Sequence, residues 1–304
     1  MTDFAAYYRN SATIVVLLCI SVVLFILFGI QQAFSLFTTF ERRLLPVQYF
    51  KSRTMILMFI ESAAGGAPIF IPVYFIPLFF QFAKGDKALE AAVRLLPFMF
   101  LLVFFSLLNG AVMGKEGHYT PWYMVATALV IVGSALMFTV DENTSTSRIY
   151  GYSAILGIGA GCIVQTGFIV AQAVVPRSEM SLGEHAHTLK NSRLTDQGSA
   201  VAFINLAQIG GLVISLTLAN TVFLNVAQNS IGAVLPGADP AAIKSAISGT
   251  GSAFLKTLSA EKQQQVLHAV IDAISKTYIL CIAAGALGLV LSFAMKWERV
   301  ILIL

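Results

Sequence analysis

Long apolar blocks separated by polar connectors set the rhythm of this chain. The clearest block, Tyr150 to Pro176 (YGYSAILGIGAGCIVQTGFIVAQAVVP), holds no charged residue. It is long enough to cross a hydrocarbon core about 30 Å thick, which takes roughly 20 helical residues. Similar blocks run from Ala12 to about Phe37, Thr54 to Phe82, about Leu89 to Met113, Trp122 to Val140, about Ser199 to Val226, and Ile274 to Met295. Hydrocarbon leaves no solvent for unpaired backbone groups, so such blocks must be helices. The pattern predicts an all-α polytopic membrane protein with about seven transmembrane helices.

Interruptions within the blocks are as informative as their lengths. Gly65 and Gly66 precede Pro68, Pro72 and Pro77 in the second block, which predicts a kink in its second half and makes 65 to 81 a candidate cavity wall. In the fifth block Gly157, Gly159 and Gly161 strip side chains from the helix surface, so that a neighbouring backbone can approach. Gly210 and Gly211 are expected to do the same in the sixth. Residues 1–53 read as a polar tail, one spanning helix and a basic connector; residues 54–304 read as a six-helix unit. Within that unit 227–272 is expected to be an extramembrane loop, with LSAEKQQQVLHAVIDAI as a surface helix over its mouth.

Composition agrees with the blocks. Of 304 residues, 57% are hydrophobic and only 11% charged, and the mean hydropathy is +0.81; a soluble domain needs a more polar surface. Alternating the connectors places Arg42, Arg43, Lys51, Arg53, Lys115, Arg177, Lys190, Arg193, Lys296 and Arg299 on one side of the membrane. Basic residues favour the cytoplasmic side, so the C-terminus is expected there and the N-terminus outside. The 3 cysteines, Cys19, Cys162 and Cys281, lie in apolar runs and read as small hydrophobes. His185 and His187 sit in a hydrophilic connector and read as solvated. No metal, cofactor or nucleic-acid partner is expected.

Candidate chemistry is sparse because polar groups inside lipid are costly and therefore usually have a task. Glu61 is the acid set deepest in a predicted span; it either marks a proton route or reaches interfacial water. Tyr74 and Phe75, with Phe79 and Phe80, form either an interfacial belt or a surface for flat hydrophobic solutes. Gln165 and Gln172 lie two turns apart, close to one face, and either join helices or line a solute pathway. Asn205 and Gln208 share a face with Gly211. Asn109 is expected to bond across helices, and Arg94 to snorkel outward or to pair with Glu90 four residues back. The candidate pathway is Glu61, Tyr74, Phe75, Gln81, Asn109, Gln165, Gln172, Asn205 and Gln208.

In order along the chain, ERRLLPVQYFKSR, VYFIPLFFQFAKGDKALEAAVRLLP, GHYTPWYMVATALVIVGSAL, the Tyr150 to Pro176 block, AFINLAQIGGLVISLTLANTVF and MKWER resemble the C-terminal part of fungal major facilitator superfamily drug and toxin exporters of the fourteen-spanner kind. The similarity runs from about Leu27 to Arg299. It implies proton-coupled efflux of lipophilic small molecules by alternating access, without an ATP site, most naturally at the plasma membrane, with the vacuolar membrane as the alternative. The first helix would be a linker span and the other six the C-terminal bundle, whose partner is a missing N-terminal bundle. An enlarged connector at 181 to 195 departs from the family pattern, and the family's antiporter motif, which belongs to the N-terminal bundle, is absent. A truncated, non-transporting membrane protein and a seven-helix receptor remain as alternatives; an embedded enzyme is disfavoured because the spans carry no cluster of catalytic side chains.

Overall fold

The computed structural model describes residues 12–34, 47–116, 118–179, 186–236, 243, 247 and 258–295. The N-terminal tail, connector residues 35–46, His185 and the other connector residues 180–185, most of 237–257, and the closing KWER lie outside them. The described residues are helical almost throughout: α1 (Ala12–Phe34), a short 3-10 turn (Val47–Lys51), α2 (Arg53–Ala64), α3 (Gly66–Lys84), α4 (Ala88–Val93), α5 (Leu96–Glu116), α6 (Thr120–Phe138), α7 (Thr146–Glu179), α8 (Ala186–Val234), α9 (Ala260–Thr277) and α10 (Ile279–Phe293). Six stretches are long and apolar enough to cross a membrane: Arg53–Lys84, Ala88–Met113, Thr120–Phe138, Thr146–Gln172, Gly198–Val234 and Ala260–Phe293. The α1 helix adds a seventh apolar helix, whose residues Val22, Val23, Leu24, Ile26 and Leu27 are exposed.

Three of the crossings are pairs of helices joined at a break. The first falls at Gly65, between α2 and α3, rather than in the second half of the block. Pro68 accounts for it: proline lacks an N–H and its ring crowds the carbonyl four residues back, here that of Ala64. Pro72 and Pro77 are absorbed inside α3. Arg94 and Leu95 separate α4 from α5 just before Pro97, and Tyr278 separates α9 from α10. Both ends of α2–α3 are capped. Ser52 Oγ accepts from Met55 N at 3.5 Å, and Gly85 takes φ +70° to close the C-terminus in the left-handed region.

Two expected boundaries move. Helix α8 begins at Ala186 and ends at Val234, so the hydrophilic connector is helical from 186 onward and the helix runs on past 227. The stretch expected as a surface helix is α9, continuous in direction of chain with α10. Its Val266, Ala269, Val270, Ile271, Ala273 and Ile274 are buried, and it packs along α8 and α3. Its apolar face is the one covered by these neighbours, as an amphipathic helix requires.

Helix α7 occupies the centre, packed between α5 and α6, while α10 packs on α6 and α2 packs on α8. The backbones touch. A Cβ added at Gly157 would stand 2.8 Å from the Phe98 carbonyl oxygen, and one at Gly161 would overlap that of Leu102. Gly159 faces the other neighbour, with the Ala126 carbonyl oxygen at 2.7 Å from the same hypothetical atom. On the α2–α8 contact Gly211 lies against the Ala63 carbonyl, whereas Gly210 has open space in that direction. The expected packing pair therefore reduces to Gly211.

Polar ties join crossings at both of their ends. At one end Arg53 Nη2 donates to the Ala294 carbonyl at 2.8 Å. At the other, Lys84 Nζ donates to the Glu142 carbonyl at 3.2 Å, and His268 Nδ1 lies 2.9 Å from Glu142 Oε2. The turn between α6 and α7 is closed locally: Asp141 Oδ1 accepts from Thr144 Oγ1 at 2.6 Å and from Asn143 N at 3.1 Å. The Thr144 hydroxyl, first among these donors, holds the Asp141 carboxyl below its usual range.

Replacing Gly161 with Leu should therefore abolish accumulation of folded protein, because the obstacle is backbone and overpacking of this kind costs at least about 1–3 kcal/mol. Gly210→Ala should be neutral or raise the melting temperature, since helical glycine costs about 1 kcal/mol relative to alanine. Thermal unfolding of both variants in detergent checks the contrast.

Candidate functional site

Glu61 lies in the last turn of α2 and is only 1% exposed. Its Oε1 has no hydrogen-bond partner among the described residues. The other oxygen faces α10 at Gly288, where an added Cβ would stand 2.7 Å from Glu61 Oε2 and 2.8 Å from Thr127 Cγ2 of α6. Three helices thus meet at one carboxyl group, and the absent side chain at position 288 makes room for it. At this burial the carboxyl group is shut off from solvent in this structure.

The groups around that carboxyl are committed elsewhere. Tyr123, fully buried on α6, directs its hydroxyl toward Met58 Sδ at 3.6 Å. The Thr127 hydroxyl donates to the Tyr123 carbonyl at 2.7 Å. One turn along, a Cβ on Gly167 of α7 would stand 2.7 Å from Ser62 Oγ and 3.4 Å from Tyr123 Oη, so α2, α6 and α7 converge there as well. An ionised carboxylate without a donor in apolar surroundings is strongly disfavoured; this packing accommodates the neutral acid.

Asn109 is buried between α5 and α7. Its Nδ2 donates to the Cys162 carbonyl at 2.7 Å and to Thr166 Oγ1 at 2.8 Å, and Thr166 in turn donates to the same carbonyl at 2.7 Å. Gln165 is half-buried on α7 and faces α5, where its Cγ would lie 3.2 Å from a Cβ on Gly110. Gln172 is half-buried too, two turns along α7. On α8, Asn205 is exposed and Gln208 half-buried.

The aromatic candidates divide as well. Phe75 is buried in the core, and Tyr74 beside it is 53% exposed; Gln81, two turns on, is half-buried. Tyr74 and Phe75 share an open groove with Leu216, Thr217, Asn220 and Thr221 of α8. Thr217 and Thr221 carry no signal of their own in the sequence, being isolated hydroxyls in an apolar run. Gly288 was equally hidden, because its meaning depends on a carboxylate far away in the chain.

Arg94 does not pair with Glu90. Its Nε donates to Asp86 Oδ2 at 2.7 Å, its Nη1 lies 3.4 Å from Tyr150 Oη, and its guanidinium carbon stands 5.0 Å over the Phe80 ring. Glu90 is occupied as a cap, accepting from Lys87 N at 3.1 Å. The break after α4 turns Arg94 back across the loop toward Asp86 and the start of α7.

These observations define a class: a multi-pass helical membrane protein whose bundle holds a buried acid and a partly polar groove. No family model matches the chain. Curated relatives do. The Phomenoic acid biosynthesis cluster MFS-type transporter of Leptosphaeria maculans is 40% identical, over 97% of this chain and 47% of its own length. Efflux pump alnA of Emericella nidulans is 40% identical over 97% of this chain and 51% of its own, and MFS-type transporter pgmG of Aspergillus terreus is 41% identical over 92% and 47%. Over nearly its whole length the chain is homologous to these fungal MFS-type transporters and efflux pumps, and it spans about half of theirs.

A double-mutant cycle separates the two partners of Arg94. Melting temperatures of Arg94→Ala and Asp86→Ala should combine non-additively, whereas Arg94→Ala and Glu90→Ala should add. Additivity in the first pair would remove the ion pair.

Proposed function

We propose that this chain is the C-terminal half of a secondary exporter that moves hydrophobic small molecules across the plasma membrane by proton antiport and alternating access, with its C-terminus in the cytoplasm. The observation that carries the proton-coupled part is Glu61, enclosed by α2, α6 and α10 without a hydrogen-bond donor to Oε1 among the described residues. A carboxyl group in such a place is stable with its proton and unstable without it, so release of the proton has to be accompanied by rearrangement or wetting of the seam. That link between charge and packing is what antiport requires: one state of the carrier holds the proton, the other yields it.

The polar and aromatic candidates support a solute path along the bundle surface that would face a second bundle. Tyr74 and Asn205 are exposed, Gln81, Gln165, Gln172 and Gln208 are half-buried, and a second bundle would have to meet them. Asn109 takes the structural part instead, joining α5 to α7. Relatives with efflux pump in their names support outward transport of small molecules. Since the chain spans about half of them, the pairing with an N-terminal bundle is part of the same proposal.

Glu61→Gln keeps the shape of the neutral acid and removes the proton. Expressed with all the N-terminal sequence that its transcript encodes, the variant should fold and yet lose proton-driven efflux of a lipophilic dye by at least about tenfold, together with the pH dependence of transport. Efflux unchanged from pH 5 to 8 would take Glu61 out of the mechanism.

A further inference from the structure

The groove between α3 and α8 encloses about 390 Å³ and is walled by Tyr74, Phe75, Leu216, Thr217, Asn220 and Thr221. Its volume falls within the range of small-molecule sites, about 300–1,000 Å³. The two walls differ in chemistry. Helix α3 contributes rings: Tyr74 packs edge-on to Phe75 with centroids 4.9 Å apart, and Phe75 packs edge-on to Phe223 of α8 at 5.5 Å. Phe75 is thus anchored on both helices, and the exposed Tyr74 ring beside it faces the groove as a platform.

Helix α8 contributes oxygen. The Thr217 hydroxyl donates to the Val213 carbonyl at 2.7 Å, and the Thr221 hydroxyl donates to the Thr217 carbonyl at 2.8 Å. A hydroxyl has one proton to give and two lone pairs. With both protons spent on their own helix, the two threonines meet a visitor as acceptors only. Asn220 lies exposed between them and can act in either sense. An acyl chain offers no donor to any of the three, and polar side chains within a crossing face protein or a wet cavity rather than lipid.

We propose that this groove binds neutral, flat, largely apolar molecules that carry a hydroxyl or N–H donor, with the ring on Tyr74 and the donor on the Thr217 and Thr221 oxygens. The proposal rests on the exporter reading for its place in a solute path and adds the chemistry of the solute. Phenols and alcohols are preferred over their O-methylated counterparts, because the ether removes the donor while keeping the apolar surface.

Equilibrium dialysis of the purified chain in lipid nanodiscs against radiolabelled 1-naphthol and 1-methoxynaphthalene tests this directly. The native chain should bind 1-naphthol saturably and about tenfold more tightly than the ether, the effect of one or two hydrogen bonds. Thr217→Val combined with Thr221→Val should erase the preference and leave ether binding unchanged, Thr217→Ser with Thr221→Ser should retain it, and Tyr74→Ala should weaken both probes. Equal affinity of the native chain for the two probes, parallel loss of both in the valine variant, or no saturable 1-naphthol binding would overturn the proposal. Preference for 1-naphthol in a protein that exports nothing would sink the exporter reading alone. Glu61-dependent export without that preference would sink this proposal alone.

Discussion

The backbone contact between α5 and α7 is the constraint on which the rest of the bundle depends. In lipid, burying an apolar side chain against another helix removes it from surroundings that are equally apolar, so association has to come from close packing and interhelical hydrogen bonds. Gly157 and Gly161 allow α7 to lie directly on the carbonyls of Phe98 and Leu102, and Gly159 turns the next face toward α6. Asn109 then bonds across the same contact, where its distances to Cys162 and Thr166 are short because the helices are already close. Gly211 against Ala63 repeats the device between α8 and α2.

Polar side chains in the bundle divide according to whether they are answered. Asn109 donates to partners on α7, Thr127 and Thr166 return their protons to their own helices, and Arg94 is held by Asp86 at the membrane edge. Such groups add to the packing. Glu61 is different, since its seam supplies space through Gly288 but no donor to Oε1 among the described residues. An unanswered carboxyl oxygen adds nothing to the packing around it, unlike these satisfied groups.

The crossings were legible in the sequence because hydrocarbon imposes a length and a near absence of charge that few other environments require. The close approach of α7 could be read for a related reason: three glycines in five residues of an uncharged helix leave little else for them to do. Contacts between distant segments were not legible. Glu90 has the right spacing to pair with Arg94, but it is consumed as a cap, and the helix break redirects the arginine to Asp86. Gly210 and Gly211 are adjacent and alike in sequence, and only the azimuth of α8 distinguishes the one that touches α2. At 258–274 the sequence shows a helix with one wet face, and what it cannot show is which neighbours cover the other: α8 and α3.

The length of α8 has a mechanical implication. Its 49 residues amount, as a straight rod, to about 74 Å, more than twice the thickness of a hydrocarbon core. It is gripped near its middle by α2 at Gly211 and again further on, where Phe223 packs on Phe75 and Ala227 and Ile231 are fully buried. A rod held at two separated points cannot pivot at either one alone, so any tilt of α8 has to carry α2 and α3 with it as a single block.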